Sequence, residues 1–326
     1  MSDASYLRNL SGYPQTAAAA AAAGEVWQLP DGRAGVFTSL NAAAANDSVN
    51  HSPQPAAYVM TKASGFVALA GGRAYWDHSA NAVTYKKVND RDFYLGRFGA
   101  DAASADTTCV VILNIDPKYD IDMLADGALV VPTGTAAAGG FGYPQLYGGV
   151  PGLRLTATSE AQCVDMLSVD RFALGSNWIA EFVVRFGANG STSDVDIVVG
   201  VANGTSTSDP DAITESAFFS VDGGSTNINA ESDDGTTEVA ATDTTIDLTA
   251  GSAVANRVEF WLDGRDPSNV KYYVNGSEVL SATANLGNIA AATGPLGLLV
   301  LAEKVSGTAT AGPIYVDRAC VRLMEQ

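Results

Sequence analysis

Histidine is nearly absent from this chain of 326 residues, with His51 and His78 the only two. Neither stands in HExxH spacing or in a histidine–cysteine cluster, so the common zinc frameworks have no ligands to start from. No GxSxG elbow is present, and His78, in YWDHSAN beside Asp77, reads as a turn histidine after a strand. Cysteine is scarce as well. Cys109, Cys163 and Cys320 lie far apart with no CxxC pair; an odd, scattered set argues against a disulfide framework and for small buried side chains. No GxGxxG or GxxxxGK[ST] run offers a phosphate cradle. No apolar run reaches the ~18 residues of a membrane helix, and the alanines of 17–23 are too few and too weakly apolar to make one. Residues 1–10 lack the apolar centre of a signal peptide, so synthesis in a cytoplasm is expected. Basic residues are outnumbered 36 to 18, giving a net charge of −18. Phosphate binding rests on clustered Lys and Arg, so nucleic acid is not an expected partner, and neither is a membrane.

What the chain does contain is Gly, Ala, Thr, Ser, Asp and Asn, a composition suited to short strands joined by turns. The expected fold class is all-β. Strand-like segments fall at 25–30, 34–40, 56–61, 66–70, 74–77, 82–88, 94–99 and 108–114, separated by turns such as PDGR and AGGR. That spacing predicts a small N-terminal β-barrel domain over 25–116, with 41–55 as an exposed loop. Residues 117–150 read as a linker and first strand region, with the boundary near Pro117. A second series, at 152–158, 163–169, 178–187, 195–203, 216–223, 228–234, 244–250, 256–264, 269–279, 295–304 and 312–324, predicts a jelly-roll (concanavalin-like) β-sandwich over 151–326. Within it, VKYYVNGSEV places Asn-Gly between two strand halves, a strong hairpin signal. Residues 1–24 read as an extended N-terminal arm with Tyr6, Leu7, Leu10 and Tyr13 as apolar handles.

Two groups of side chains deserve a chemical reading. Asp116, Asp120, Asp122 and Asp126 form a sparse acidic series, and Asp233 with Asp234 precedes a glycine. Solvated acidic loops are the plain reading; a structural calcium is the alternative, although the glycine and terminal glutamate of an EF-hand are missing. Otherwise no cofactor is expected. Glu181, Glu215, Glu231 and Glu259 sit on or beside separate strands without the alternation that sets two carboxylates across a cleft. Trp178, Trp261, Tyr272 and Tyr273 either line a sugar groove or fill the core. A carbohydrate-binding module contacting glycans through Trp178 and Trp261 is therefore the alternative function, and a glycoside hydrolase a more distant one.

The segment from Ala23 to Asn114 resembles the capsid cement (head decoration) family of tailed bacteriophages. The residues that carry the resemblance are Lys62, Ala63 and Ser64, then Gly72, Arg73, Ala74, Tyr75, Trp76 and Asp77, then Val83 with Thr84, Leu95 with Gly96, and the closing strand Thr108 to Leu113. The family's valine between Ala74 and Tyr75 is missing here. The C-terminal region is similar, at the level of fold, to concanavalin and laminin-G modules. The resemblance implies a structural protein without an active site, bound to the major capsid protein on the outer capsid surface. It also implies a homotrimer at local three-fold positions. Capsid contacts are expected from the arm residues Tyr6, Leu7, Leu10 and Tyr13, and from Trp27.

Overall fold

The computed structural model describes residues 13–16, 22, 24–37, 42–133, 151–155, 161–186, 195–206, 210–248, 257–283, 285–304 and 311–324. The fold is all-β, and it divides into two units, Met1–Lys118 and Tyr119–Gln326.

Among the described residues the first unit shows nine strands: β1 (Tyr13–Thr16), β2 (Val26–Gln28), β3 (Ala34–Phe37), β4 (Ser48–Ser52), β5 (Ala57–Thr61), β6 (Arg73–Asp77), β7 (Ala82–Thr84), β8 (Phe93–Phe98) and β9 (Thr108–Leu113). β1–β4 make an antiparallel sheet in the order β1-β4-β3-β2, and β5–β9 a second in the order β5-β9-β8-β6-β7. Lys62, just past β5, forms a parallel bridge to Val83 on β7, and the Ala63 N–H donates to the Val83 carbonyl at 2.9 Å. That bridge closes the five strands into a small barrel. Alternation does the rest: Cys109, Val111 and Leu113 of β9 and Phe93 and Leu95 of β8 point inward, onto Phe66 and Phe98. Val26, Ala34 and Val36 of the first sheet join the same core. Asn114 fastens the two sheets, since its amide exchanges hydrogen bonds with the Ala34 backbone at 2.9 and 3.0 Å and donates to the Pro53 carbonyl at 2.8 Å.

The second unit contains β10 (Ile121–Asp122), the single-turn α1 (Met123–Asp126), β11 (Ala128–Thr133), β12 (Gly152–Leu155), β13 (Gln162–Ser168), β14 (Trp178–Phe186), β15 (Val195–Ala202), β16 (Glu215–Val221), β17 (Asn227–Asp234), β18 (Glu238–Asp247), β19 (Arg257–Gly264), β20 (Lys271–Val274), β21 (Ser277–Val279), β22 (Gly297–Lys304) and β23 (Ala311–Leu323). They form two sheets. One runs β10-β23-β14-β19-β20-β21 with β12 also on β23, and the other runs β11-β13-β22-β15-β16-β17-β18. Ala180, Phe182, Phe260 and Leu262 from the first face Ile197, Val199, Phe219 and Val300 from the second across one core. Phe219 packs on Phe260 at 4.7 Å and edge-on to Tyr272 at 5.3 Å. Each such ring contributes ~1.5–3 kcal/mol by leaving water. The Asn275-Gly276 pair has both φ values positive, 51° and 81°, which is the turn that lets β20 fold back on β21.

Three details differ from the sequence reading. The expected loop 41–55 contains β4, which pairs with β1 on one side and β3 on the other although SVNHS shows no periodic apolar pattern. The expected strand 66–70 is a turn with one bridge, Ala68 to Ala102, because Phe66 is used as a plug for the barrel. β18 begins at Glu238, upstream of the expected 244–250; β10 and β11 lie in the span read as a linker and first strand region and pair into the sandwich.

Candidate functional site

The residues that carry the family resemblance fall together in the barrel, and each does a building task. Lys62 is buried, and its ammonium lies 3.3 Å from each of the Ala63, Ser104 and Asp106 carbonyl oxygens and 4.4 Å from the centre of the Phe66 ring. Burial pushes its pKa down, with Cys109 and Asp106 acting in the opposite sense. Gly96 has φ 148°, and a Cβ there would stand 2.1 Å from the Ile112 carbonyl oxygen, so β8 and β9 close only with glycine at this position. Asp77 ends β6 by accepting from the Ser79 and Ala80 N–H groups and the Ser79 hydroxyl, and Asn81 follows with φ 49°. A register shift between Ala74 and Tyr75 turns the neighbouring aromatics: Trp76 packs against the barrel core, and Tyr75 stacks edge-on to Tyr94 at 5.5 Å.

In the sandwich the four glutamates have four different surroundings. Glu181, on β14, is buried against Arg322, with Arg318 at 3.5 Å and the Tyr119 hydroxyl donating at 3.2 Å. Burial opposes its charge, but the two guanidinium groups outweigh it and hold the carboxyl below the ordinary range. Glu215 accepts from the Thr293 N–H and hydroxyl, the Gly294 N–H and the Asn203 amide, tying β16 to the 293–294 turn; those bonds lower its pKa. Glu259 pairs with Arg257 at 2.8 Å. Glu231, on β17, is buried with only the Ser220 hydroxyl as a favourable partner, and Asp211, Asp222 and Glu238 lie near. Burial, reinforced by those carboxylates, pushes it up to about 8, so it is a neutral acid at pH 7. Asp165, on β13, is also buried; it accepts from the Cys163 thiol at 2.9 Å, and burial raises it to about 6.

Three of the acidic series, Asp120, Asp122 and Asp126, accept from backbone donors. Asp122 caps α1 by accepting from the Leu124 and Ala125 N–H groups, Asp126 accepts from the Asp122 N–H, and Asp120 from the Leu323 N–H. Asp233 and Asp234 accept from the Gly235, Thr236 and Thr237 N–H groups of the following turn. Among the described residues no three His, Cys, Asp or Glu side chains converge as metal donors.

The structure corrects the expected glycan contacts. Trp178 is fully buried in the core between the sheets, 5.2 Å from Phe172 and flat against Gly264, where a Cβ would come within 2.0 Å of the indole. Trp261 lies on the outer face of β19 beside Tyr273, yet keeps only 6% of its surface. Both rings are buried, so neither offers a face to a sugar in this structure. Tyr272 is likewise core, donating its hydroxyl to the Glu231 carbonyl at 2.8 Å. Trp27 is half-buried against Phe37. Tyr6, Leu7 and Leu10 lie outside the described residues, and Tyr13 is described only as the first residue of β1, paired with His51. His78 sits in the turn after β6, with Arg91 Nη2 2.7 Å from its Nε2.

Charge is divided very unequally. The unit Met1–Lys118 has nine basic and ten acidic residues, a net −1; Tyr119–Gln326 has nine and 26, a net −17.

No protein-family model matches the chain, and no curated protein does. Among solved structures, the carbohydrate recognition domain of Emp46p in its potassium-bound form is similar over 62% of this chain and 91% of its own, at 12% identity and a TM-score of 0.39. The lectin UEA-II complexed with galactose is similar over 60% and 93%, at 9% identity and TM-score 0.39. A conserved carbohydrate esterase from Shiga toxin-encoding bacteriophage phi24B is similar over 60% and 90%, at 12% identity and TM-score 0.35. At these scores the likenesses carry no argument about ligand or activity. The sandwich stands on its own strand pairing.

Proposed function

We propose that this chain is a structural virion protein that coats the outer surface of a phage capsid and turns over no substrate. One observation carries the reading: Lys62, Gly96, Asp77 and Trp76, which bear the resemblance to the cement family, are all consumed in closing and filling one small barrel. A body built that way offers surface and no reactive centre. The glutamates of the sandwich support the same conclusion, since Glu181, Glu215 and Glu259 are each engaged by fixed partners. In this reading the partner is the major capsid protein, the protein assembles as a trimer at local three-fold positions, and the 1–24 arm adds contacts. Spreading contacts over several shell subunits makes them fail together, which is how a coat resists internal pressure. The test is co-sedimentation of the full-length protein with shells assembled from the capsid protein of the same virus. Saturable binding at a fixed ratio to shell subunits is expected; a protein that stays at the top of the gradient at every concentration removes the proposal.

A further inference from the structure

Two surfaces of this chain carry opposite charge. On the barrel, β6 and β8 pair so that Arg73 stands directly across from Arg97, and further along the same pair Tyr75 stands across from Tyr94. Ala74, Trp76 and Phe98 turn to the core, so the two arginines and two tyrosines share the outer face, each half-buried. Like charges placed directly opposite on neighbouring strands are destabilising, and a carboxylate set between two guanidinium groups removes that cost. Arg73 is engaged within the chain and Asp116 lies beside Tyr94, while Arg97 makes no hydrogen bond or ion pair among the described residues. Arginine and tyrosine are also the types that recur at the centres of protein interfaces.

The complementary surface is in the sandwich. Between Arg185 and Arg257 the sequence holds twelve acids and no Lys, Arg or His. That span supplies β15, β16, β17 and β18, neighbours in that order at one end of their sheet. β18 is the outermost of them, ten residues long, with Glu238, Asp243 and Asp247 exposed along it. Its pairing with β17 carries two register shifts, which blunt the edge against a further strand. Side chains are therefore what this edge presents, and the charged ones are all acids.

The chain thus carries both halves of a contact. Either surface meeting its own counterpart on another copy would set like charges together. A three-fold ring instead joins two different surfaces at each contact, and these two attract. Resting on the trimer of the function proposed above, we propose that the Arg73–Arg97 face of one copy seats on the β18 edge of the next, head to tail around the ring, with Tyr75 and Tyr94 packed beside the ion pairs. Such a contact is screened by salt, since the Debye length falls from about 10 Å at 0.1 M to about 3 Å at 1 M.

The test is sedimentation equilibrium of the full-length protein. The parent should be trimeric in about 0.1 M NaCl and lose at least tenfold in association constant in about 1 M NaCl. Arg97→Glu should weaken association at least tenfold, and so should Glu238→Lys with Asp247→Lys, each at the thermal midpoint of the parent because these side chains lie at the surface. Carried together in one chain, the two reversals should recover association, a result that a merely damaged fold would not give. If the parent associates but neither salt nor Arg97→Glu weakens it, the inference falls and the trimer stands on other surfaces. If each reversal alone weakens association and the combination does not recover it, the two surfaces do not meet and the inference also falls. A parent that stays monomeric at every concentration overturns both the inference and the trimer, while shell binding is judged separately by co-sedimentation.

Discussion

Replacing Glu231 by glutamine should remove most of an alkaline loss of stability from the sandwich. Glu231 has an ordinary value of 4.5 and a folded value of about 8. A carboxyl raised on folding contributes fully below pH 4.5, and that contribution is lost as pH rises through 8, because the unfolded chain ionises first. Asp211, Asp222 and Glu238 face it with like charge, and only the Ser220 hydroxyl opposes the shift. A displacement of about 3.5 pH units is worth at most about 5 kcal/mol, of which about 4 falls between pH 5 and pH 8.5. Against a typical domain stability of ~5–15 kcal/mol, that is a large share. Urea unfolding at both pH values, followed by tryptophan fluorescence, gives the two stabilities. Asp165, raised to about 6, adds its own loss in the lower part of the window, so the informative quantity is the difference between parent and Glu231→Gln. The parent should lose more stability than the variant across the window, by up to about 4 kcal/mol. Equal losses would mean that Glu231 is already ionised at pH 5 and that its burial carries no electrostatic cost.

Two further substitutions probe the frame. Arg322→Met leaves Glu181 buried opposite a single more distant guanidinium and should cost about 3–5 kcal/mol by urea unfolding. Pairing it with Glu181→Met should restore most of that loss, because the second substitution removes the buried carboxylate that the first leaves uncompensated. Gly96→Ala puts a methyl group 2.1 Å from the Ile112 carbonyl oxygen at φ 148°. The barrel should fail to close, seen as rapid proteolysis between residues 57 and 113 under conditions where the parent resists.

Much of the fold was written in local pattern. RVEFWLDG is β19 and VKYYVNGSEV is the β20–β21 hairpin, because two-residue alternation and an Asn-Gly turn are short-range signals. β4 was hidden because a strand of Ser, Asn and His paired on both sides shows no apolar period. Phe66 looked like strand because its apolar neighbours form a run, and only closure of the barrel reveals it as a plug. The site was harder. Trp178 and Trp261 advertise themselves by type, but type does not say which face of a sheet is covered. Glu231 gave no signal at all: its isolation depends on Asp211 and Asp222 arriving from other elements.

The supply of aspartate, though not the whole acidic excess, has a structural origin. A chain of short strands needs a turn every few residues, and each turn exposes N–H groups that want an acceptor. Asp77, Asp92, Asp106, Asp234, Asp243 and Asp266 each accept from turn amides close by in sequence, and they occur in both units. Turn chemistry therefore accounts for the supply of aspartate but not for the difference between −1 and −17. What differs is the acidic count against an equal number of bases: nine basic residues meet ten acids in the first unit and 26 in the second. A unit left at −17 keeps other acidic bodies away. The first unit, with nine bases against ten acids, carries almost no net charge of its own.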